Sequence, residues 1–232
     1  VDAKNSILTR LEDLSYDYQL VDNKEKMAIL AEKLLAQKFF SLDTETTGID
    51  PITAELVGMS FSFAENQAFY VPVPANREEA LTIVNIFKPA FENPDSLKIG
   101  QNIKYDLIML ANYGVTLKGK MFDTMIAHYV LQPELRHGMD YLAEIYLKYE
   151  TIKIEELIGA KGKKQGNMRD LAPEAVYKYA CEDADVTLKL KQVLENELET
   201  NGVKKLFEEI EMPLVPVLAY MERNGVRIDT EA

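Results

Sequence analysis

Phe39-Phe40-Ser41-Leu42-Asp43-Thr44-Glu45 is the stretch that decides the fold, because its apolar, aromatic start favours a buried β-strand. Thr46-Thr47-Gly48 and Asp50-Pro51 mark a turn directly after it. Two further strand candidates follow over residues 56–63 and 68–73, separated by a short connection. Three strands in succession with short connections predict an antiparallel meander.

The segments around this meander carry apolar residues at helical spacing. On this basis helices are expected over residues 24–37, 78–91, 103–113, 124–131, 140–148, 173–198 and 203–224. A short strand over residues 97–100 lies directly before the third of these helices, and this alternation indicates a strand added parallel to the sheet. The predicted fold class is therefore α/β, with a mixed sheet flanked by helices.

The composition is typical of a folded, soluble chain. Of the 232 residues, 47% are apolar and 28% are charged, which supports a packed core and argues against disorder. The single cysteine, Cys181, excludes an intramolecular disulfide. No apolar run approaches the roughly 20 residues that span a bilayer, and the N-terminus lacks a signal-peptide pattern. We therefore expect a cytoplasmic protein without membrane contact.

Acidic residues outnumber basic ones by 38 to 26, giving a formal charge of −12. Surfaces that bind nucleic acids are usually basic, so this balance by itself argues against a nucleic-acid partner. The strongest basic run lies in a glycine-containing loop over residues 158–169 and consists of Lys161, Lys163, Lys164 and Arg169. Its functional interpretation is phosphate contact along single-stranded DNA, and the alternative is a solvated loop.

Asp43 and Glu45 lie two residues apart in the first predicted strand, so both side chains point to one face of the sheet. Two carboxylates at the end of a largely apolar strand repel each other and lose hydration, which is costly without a cation. The ordinary alternative is a harmless acidic pair at a strand end.

Two predicted helices carry polar pairs four residues apart. Asn102 and Asp106 share a face at the start of one helix, where the alternative is a capping asparagine followed by an exposed acid. Tyr179 and Asp183 share a face of the long helix, where the alternative is a solvated acidic surface with the tyrosine at its edge. Asp185 lies six residues after Tyr179 and should point elsewhere.

Together, the strand and the two helices supply four carboxylates, one tyrosine and one asparagine. Acids without nearby basic partners suit hard cations such as Mg²⁺ or Mn²⁺. Two such ions about 4 Å apart can bind a phosphodiester, with one activating a water and the other stabilising the leaving oxygen. A tyrosine hydroxyl within reach of that water is suited to orienting it.

Three motifs in this order resemble the 3′–5′ proofreading exonuclease domains of bacterial DNA polymerase I, which belong to the tyrosine subclass of the four-carboxylate exonucleases. The motifs are Phe40-Ser41-Leu42-Asp43-Thr44-Glu45-Thr46, Gly100-Gln101-Asn102-Ile103-Lys104-Tyr105-Asp106 and Tyr179-Ala180-Cys181-Glu182-Asp183-Ala184-Asp185-Val186-Thr187. Segments 122–125 and 136–143 also match the family's connecting regions, so the resemblance covers nearly the whole chain. It implies a ribonuclease H-like fold with an antiparallel three-strand meander plus parallel strands.

The resemblance also implies a cofactor of two divalent cations, Mg²⁺ with Mn²⁺ able to substitute. Asp43 would bridge both ions, Glu45 and Asp183 would complete the tighter site, and Asp106 would serve the second ion largely through water. Some relatives in this family lack catalytic carboxylates. All four are present here, which implies an active metal-dependent exonuclease.

The substrate implied by the resemblance is the 3′ end of single-stranded or frayed primer DNA. Tyr179 would position the attacking water, and Asn102 would contact the terminal nucleotide or its phosphate. Ile49 and Ile154 stand near the positions at which family members pack apolar or aromatic side chains against the terminal base. The basic loop contributes Lys161, Lys163 and Lys164 as further candidate contacts to DNA.

The resemblance divides the chain into a linker from an upstream region over residues 1–23, an exonuclease domain over 24–202 and the truncated start of a polymerase domain over 203–232. The expected partners are DNA and that polymerase domain, and the fragment is expected to be monomeric. Two alternatives remain open from the sequence. One is a DNA-docking module without turnover, and the other is a 3′ exoribonuclease.

Overall fold

The structure is a computed structural model that describes residues 8–162 and 164–228. Within these residues, the strands are β1 (Asp17–Leu20), β2 (Phe39–Thr46), β3 (Leu56–Ala64), β4 (Gln67–Pro72), β5 (Leu97–Gly100) and β6 (Met121–Asp123). The α-helices are α1 (Lys24–Leu35), α2 (Arg77–Phe91), α3 (Ile103–Asn112), α4 (Thr124–Leu131), α5 (Met139–Leu142), α6 (Ile154–Ile158), α7 (Pro173–Thr200), α8 (Lys204–Leu206) and α9 (Met212–Asn224). Single π-helical turns follow α5 (Ala143–Leu147) and α8 (Phe207–Glu211).

The strands form one mixed sheet in the order β1-β4-β3-β2-β5-β6. β2, β3 and β4 pair antiparallel, whereas β5 pairs parallel to β2 and β6 pairs parallel to β5. The predicted meander, the parallel addition and the α/β class are therefore confirmed. β6 has only three residues, which is too short to show a strand period in the sequence.

Residues 8–23 pack against the sheet and the main core, and the domain boundary at residue 23 stays a prediction. β1 pairs parallel to β4, with Asp17 opposite Gln67. Leu11 and Val21 are buried in the main hydrophobic core. The sequence predicts a short extended piece near residues 18–21, and β1 overlaps this stretch. Residues 1–7 lie outside the described part of the chain.

The two faces of β2 have different environments because side chains alternate along a strand. Phe40 packs on one face against Phe61, whose ring lies 5.4 Å from Phe87 and 5.7 Å from Phe91 of α2. On the other face, α7 crosses the sheet. The Ser41 hydroxyl donates a hydrogen bond of 2.7 Å to the carbonyl of Ala184, which fixes α7 directly over β2.

The segment after α7 packs onto the same core. Phe207 and Met212 are buried, and the Phe207 ring lies 4.8 Å from the Phe122 ring of β6. α9 packs along α3, where Lys104 forms an ion pair with Glu222. The assignment of residues 203–232 to a polymerase domain stays a prediction. Among the described helices, none combines the length and apolarity needed to span a membrane.

Candidate active site

Three acidic side chains converge where α7 crosses the end of β2. Asp43 and Glu45 lie on the α7 side of the strand, and Asp183 projects from the helix. One carboxylate oxygen from each lies within 4.8 Å of the others. The hydrogen bond that anchors α7 on β2 involves Ala184, the neighbour of Asp183. The period of two in β2 and this anchor together explain why the acids meet.

Two of these carboxylates, Glu45 and Asp183, are buried, and Asp43 is partly buried. Glu45 is only 6% exposed, and its Oε1 has no hydrogen-bond partner among the described residues. Burial raises the pKa of Asp43 to about 6. Burial and repulsion from neighbouring acids raise the pKa values of Glu45 and Asp183 well above their usual range. Such a donor set, with an unsatisfied oxygen, fits a divalent cation.

Tyr70 lies close to Glu45, since burial and then the charge of Glu45 raise the pKa of the Tyr70 hydroxyl. Gly58 of β3 pairs directly with Glu45, and a Cβ atom at this glycine would overlap the ring of Tyr70. The buried Tyr70 ring therefore lies over Gly58, next to the carboxylate. Only glycine leaves room for this close approach.

Asp106 lies in the first turn of α3 and is 3% exposed, so the alternative of an exposed helix acid is wrong. Its Oδ1 accepts a hydrogen bond of 2.6 Å from the Thr44 hydroxyl on β2. Burial, followed by repulsion from Asp43, raises the pKa of Asp106. Asp106 thus faces the three-carboxylate cluster without belonging to it.

Asn102 precedes α3, but its side chain does not cap the helix. Its backbone is left-handed, with φ 58° and ψ 45°. Asparagine tolerates this conformation better than most residues. The alternative of a capping asparagine is therefore wrong, and the side-chain amide is not used to satisfy the helix start.

Tyr179 is half-buried on α7, one turn before Asp183. Burial, and then the charge of Asp183, raises the pKa of the Tyr179 hydroxyl far above its usual value. The phenol consequently stays protonated at neutral pH and can donate a hydrogen bond. Ile154, at the start of α6, packs with Tyr179 against the same small cluster of buried side chains.

The two acids nearest to Asp183 on α7, Glu182 and Asp185, are buried and hydrogen-bonded, so the alternative of a solvated acidic face around Asp183 is wrong. Glu182 accepts hydrogen bonds from the Tyr149 hydroxyl at 2.6 Å and from the Ile152 amide at 2.7 Å. Asp185 points elsewhere, as predicted, and accepts bonds from the Tyr18 hydroxyl at 2.8 Å and Lys189 at 2.7 Å. Both acids are fully buried.

Ile49 lies in the turn after β2 and is 97% exposed. The Tyr105 hydroxyl, from α3, donates to the carbonyl of Gly48, and the Asn167 amide donates to the carbonyl of Thr47 at 2.8 Å. The turn that presents Ile49 is therefore held from two sides. Neither supporting residue was identified from the sequence, because each contact joins segments far apart in the chain.

The basic residues of the 158–169 loop fall into two groups. Lys161 and Lys164 are exposed, and the Lys161 ammonium lies 3.8 Å from Glu155. Lys163 lies outside the described residues. Arg169 instead donates to the main-chain carbonyls of Leu56 and Val73, so its guanidinium is committed to holding strands β3 and β4.

The sheet order, the flanking helices and the acids at β2, α3 and α7 together define a nuclease of the ribonuclease H-like fold. A family model described as a 3′–5′ exonuclease matches residues 18–199. The chain belongs to this family, the 3′–5′ exonuclease domain of DNA polymerase I. It is 42% identical over 224 residues to DNA polymerase I of Pseudomonas aeruginosa and 36% identical over 217 residues to that of Borreliella burgdorferi. Each match covers 92% of this chain but only 24% and 23% of the relative, so the chain spans about a quarter of their length.

Solved structures with low sequence identity share the fold. NrnC of Brucella melitensis bound to pGG superimposes with a TM-score of 0.71 at 22% identity, covering 94% of this chain and 99% of NrnC. The catalytic core of RRP6 from Trypanosoma brucei gives a TM-score of 0.67 at 18% identity, covering 90% of this chain and 54% of RRP6. At these identities the likeness establishes the fold alone.

Proposed function

We propose that this domain hydrolyses the terminal phosphodiester at the 3′ end of single-stranded or frayed DNA and releases nucleoside monophosphates. The observation that carries this proposal is the buried cluster of Asp43, Glu45 and Asp183, with its unpartnered Glu45 oxygen. Among the described residues, no Lys or Arg forms an ion pair with these acids. A cation is therefore the missing counter-charge.

Four residues would hold two divalent cations, Mg²⁺ or Mn²⁺. Asp43 would serve both ions, Glu45 and Asp183 would complete the tighter site, and Asp106 would serve the second ion. When bound, the ions supply an activated water and stabilise the oxygen that leaves. Thr44 holds the Asp106 carboxylate through the 2.6 Å hydrogen bond, so Asp106 retains one defined orientation.

Tyr179 positions the attacking water by donating its phenolic hydrogen bond. Its raised pKa keeps the hydroxyl protonated, so it acts as a donor and not as a base. Asn102, Ile49 and Ile154 contact the terminal nucleotide, and Lys161 and Lys164 contact backbone phosphates upstream of it. Ile49 is suited to a base contact because a fully exposed isoleucine gains by covering an apolar ring.

Replacing Tyr179 with phenylalanine is expected to lower kcat by about ten- to a hundredfold, because the water loses its orienting donor. The Mg²⁺ concentration that gives half-maximal activity should stay at the wild-type value, since the hydroxyl is not a metal ligand. Single-turnover digestion of an oligonucleotide over a range of Mg²⁺ concentrations measures both quantities. A wild-type rate in this variant would remove Tyr179 from the mechanism.

DNA is the favoured substrate because the similar full-length proteins are DNA polymerases I. The test is digestion of DNA and RNA oligonucleotides of one sequence, each labelled at the 5′ end so that shortening from the 3′ end gives a ladder. With Mg²⁺, DNA is expected to shorten faster than RNA, and EDTA should stop the reaction. Faster digestion of RNA would support the exoribonuclease alternative, and binding without digestion would support the docking module.

In the intact protein, the polymerase domain is the proposed partner. The relatives are about four times longer than this chain, and their shared name implies a polymerase activity outside the matched region. The exonuclease domain would then receive a primer end that has frayed from its template.

A further inference from the structure

Asp123 ends strand β6 and is 1% exposed. Its carboxylate accepts hydrogen bonds from the starts of two helices. Oδ1 accepts from the amides of Met125 at 2.8 Å and Ile126 at 3.3 Å, which caps α4. Oδ1 also accepts from Asn102 at 3.1 Å, and Oδ2 accepts from Ile103 at 2.8 Å, both at the start of α3.

The start of α3 depends on this distant carboxylate. The first amides of a helix have no partner within the helix and need an external acceptor. Asn102 stands at the capping position in a left-handed conformation and offers no side-chain bond. Asp123, 20 residues after Ile103 in the chain, supplies that acceptor instead.

Thr124 reinforces the same connection. Its hydroxyl lies within hydrogen-bonding distance of the Gly100 carbonyl, at 3.2 Å, and of the Gln101 side-chain oxygen. The Gln101 amide donates in turn to the carbonyl of His137 at 2.7 Å. The turn between β5 and α3 is therefore tied to the start of α4 by two adjacent side chains.

We propose that Asp123 is a positioning residue for the second metal site. It fixes the first turn of α3 through the amides of Asn102 and Ile103, and Asp106 lies in that turn. Asp123 thus acts on the reaction through Asp106. This inference rests on the proposed function, because it gives Asp106 the role of serving the second cation.

An ordinary capping role for Asp123 is the competing explanation, and asparagine separates the two. Asparagine is as good a helix cap as aspartate, so Asp123→Asn keeps one oxygen to accept the α4 amides. Its amide NH₂ then replaces Oδ2 and faces the Ile103 N–H without accepting from it. The substitution therefore preserves the cap of α4 and the bond from the Asn102 amide, and it removes the bond from the Ile103 amide of α3.

The experiment is a titration of the folded protein with Mn²⁺, in which calorimetry and electron paramagnetic resonance measure the binding of each ion. The wild type is expected to bind two ions. Asp123→Asn should leave the affinity for the tighter ion unchanged and lower the affinity for the second ion by about tenfold or more. Losses of this size are found when groups that orient metal ligands are removed. The Mg²⁺ concentration for half-maximal digestion should rise by a similar factor. Thr124→Val removes the hydroxyl contacts to Gly100 and Gln101 and is expected to lower the affinity for the second ion to a smaller degree.

Asn76→Ala is the matched control, because Asn76 caps α2 with two hydrogen bonds of 3.0 and 3.1 Å. It should lower Tm, as the loss of a cap does, and leave both ions at wild-type affinity. Wild-type binding of both ions in Asp123→Asn and Thr124→Val would overturn the proposal, as would equal weakening of the two ions. If the wild type binds two ions but digests no DNA, the proposed function fails while the titration still decides the role of Asp123.

Discussion

The double substitution Asp43→Ala with Glu45→Ala is expected to abolish Mg²⁺-dependent digestion of DNA, with a loss of at least about a thousandfold. A loss of this size corresponds to about 4 kcal/mol of transition-state stabilisation. Activity should be lost because the variant removes the proposed bridging ligand and one ligand of the tighter site. The rate at which a labelled 3′-terminal nucleotide is released from an oligonucleotide measures it.

Folding and charge controls accompany this result. Metal-free, the double variant should unfold at the wild-type free energy or above it, because it loses two buried acids that repel each other. Glu25→Ala with Glu32→Ala makes the same change in charge on exposed positions of α1 and should leave digestion unchanged. Retained activity in the Asp43/Glu45 variant would contradict the proposed function.

The raised pKa of Asp43 alone is expected to lower the free energy of unfolding of the metal-free protein by about 2–3 kcal/mol between pH 4 and pH 8. The folded state raises the pKa of Asp43 to about 6, whereas an unfolded aspartate has its ordinary value near 4. Between these values the folded state holds a proton that the unfolded state has released, so rising pH destabilises the fold. The raised pKa values of Glu45 and Asp183 act in the same direction. Urea denaturation at a series of pH values, in EDTA, measures the effect.

Adding Mg²⁺ at pH 8 is expected to restore the lost stability, because the ions bind only the folded site. An ion at a hundred times its Kd contributes about 2.7 kcal/mol. Burial also raises the pKa of Glu182 to about 7 and that of Asp123 to about 6, and these shifts should persist when the metal ligands are removed. The response to Mg²⁺ should therefore disappear in the Asp43/Glu45 variant while a smaller pH dependence remains. Metal-free stability that rises with pH, or no response to Mg²⁺ at pH 8, would contradict this account.

Local periodicity was enough to predict the elements that carry the acids. The spacing of two in β2 placed Asp43 and Glu45 on one face, and the spacing of four in α7 placed Tyr179 beside Asp183. The structure brings these faces together, with Asp106 opposite them. These predictions succeed because each depends on residues within a single strand or helix.

Contacts between distant segments could not be predicted in this way. Arg169 belongs to a basic run in the sequence, but its guanidinium donates to carbonyls 96 and 113 residues away. The roles of Asp123 and of β1 likewise depend on partners that no local pattern indicates. The alternative role of Asn102 as a helix cap rests on a local preference, and in the structure the distant Asp123 carboxylate accepts from the first amides of α3 instead.

The acidic residues that produce the excess of negative charge do not all lie on the surface of the folded protein. Glu182 and Asp185 are buried and hydrogen-bonded, so they add little negative charge to the surface that DNA would approach. The metal-binding acids would be neutralised by their ions. A formal charge of −12 is thus compatible with a site that binds one strand end and lacks a broad basic surface.

Anomalous scattering from crystals soaked in Mn²⁺ tests the central claim most directly. We expect two peaks about 4 Å apart, with Asp43 between them, Glu45 and Asp183 on the first and Asp106 near the second through water. Crystals with no peak within coordination distance of Glu45 and Asp183, at Mn²⁺ concentrations that support digestion, would contradict it.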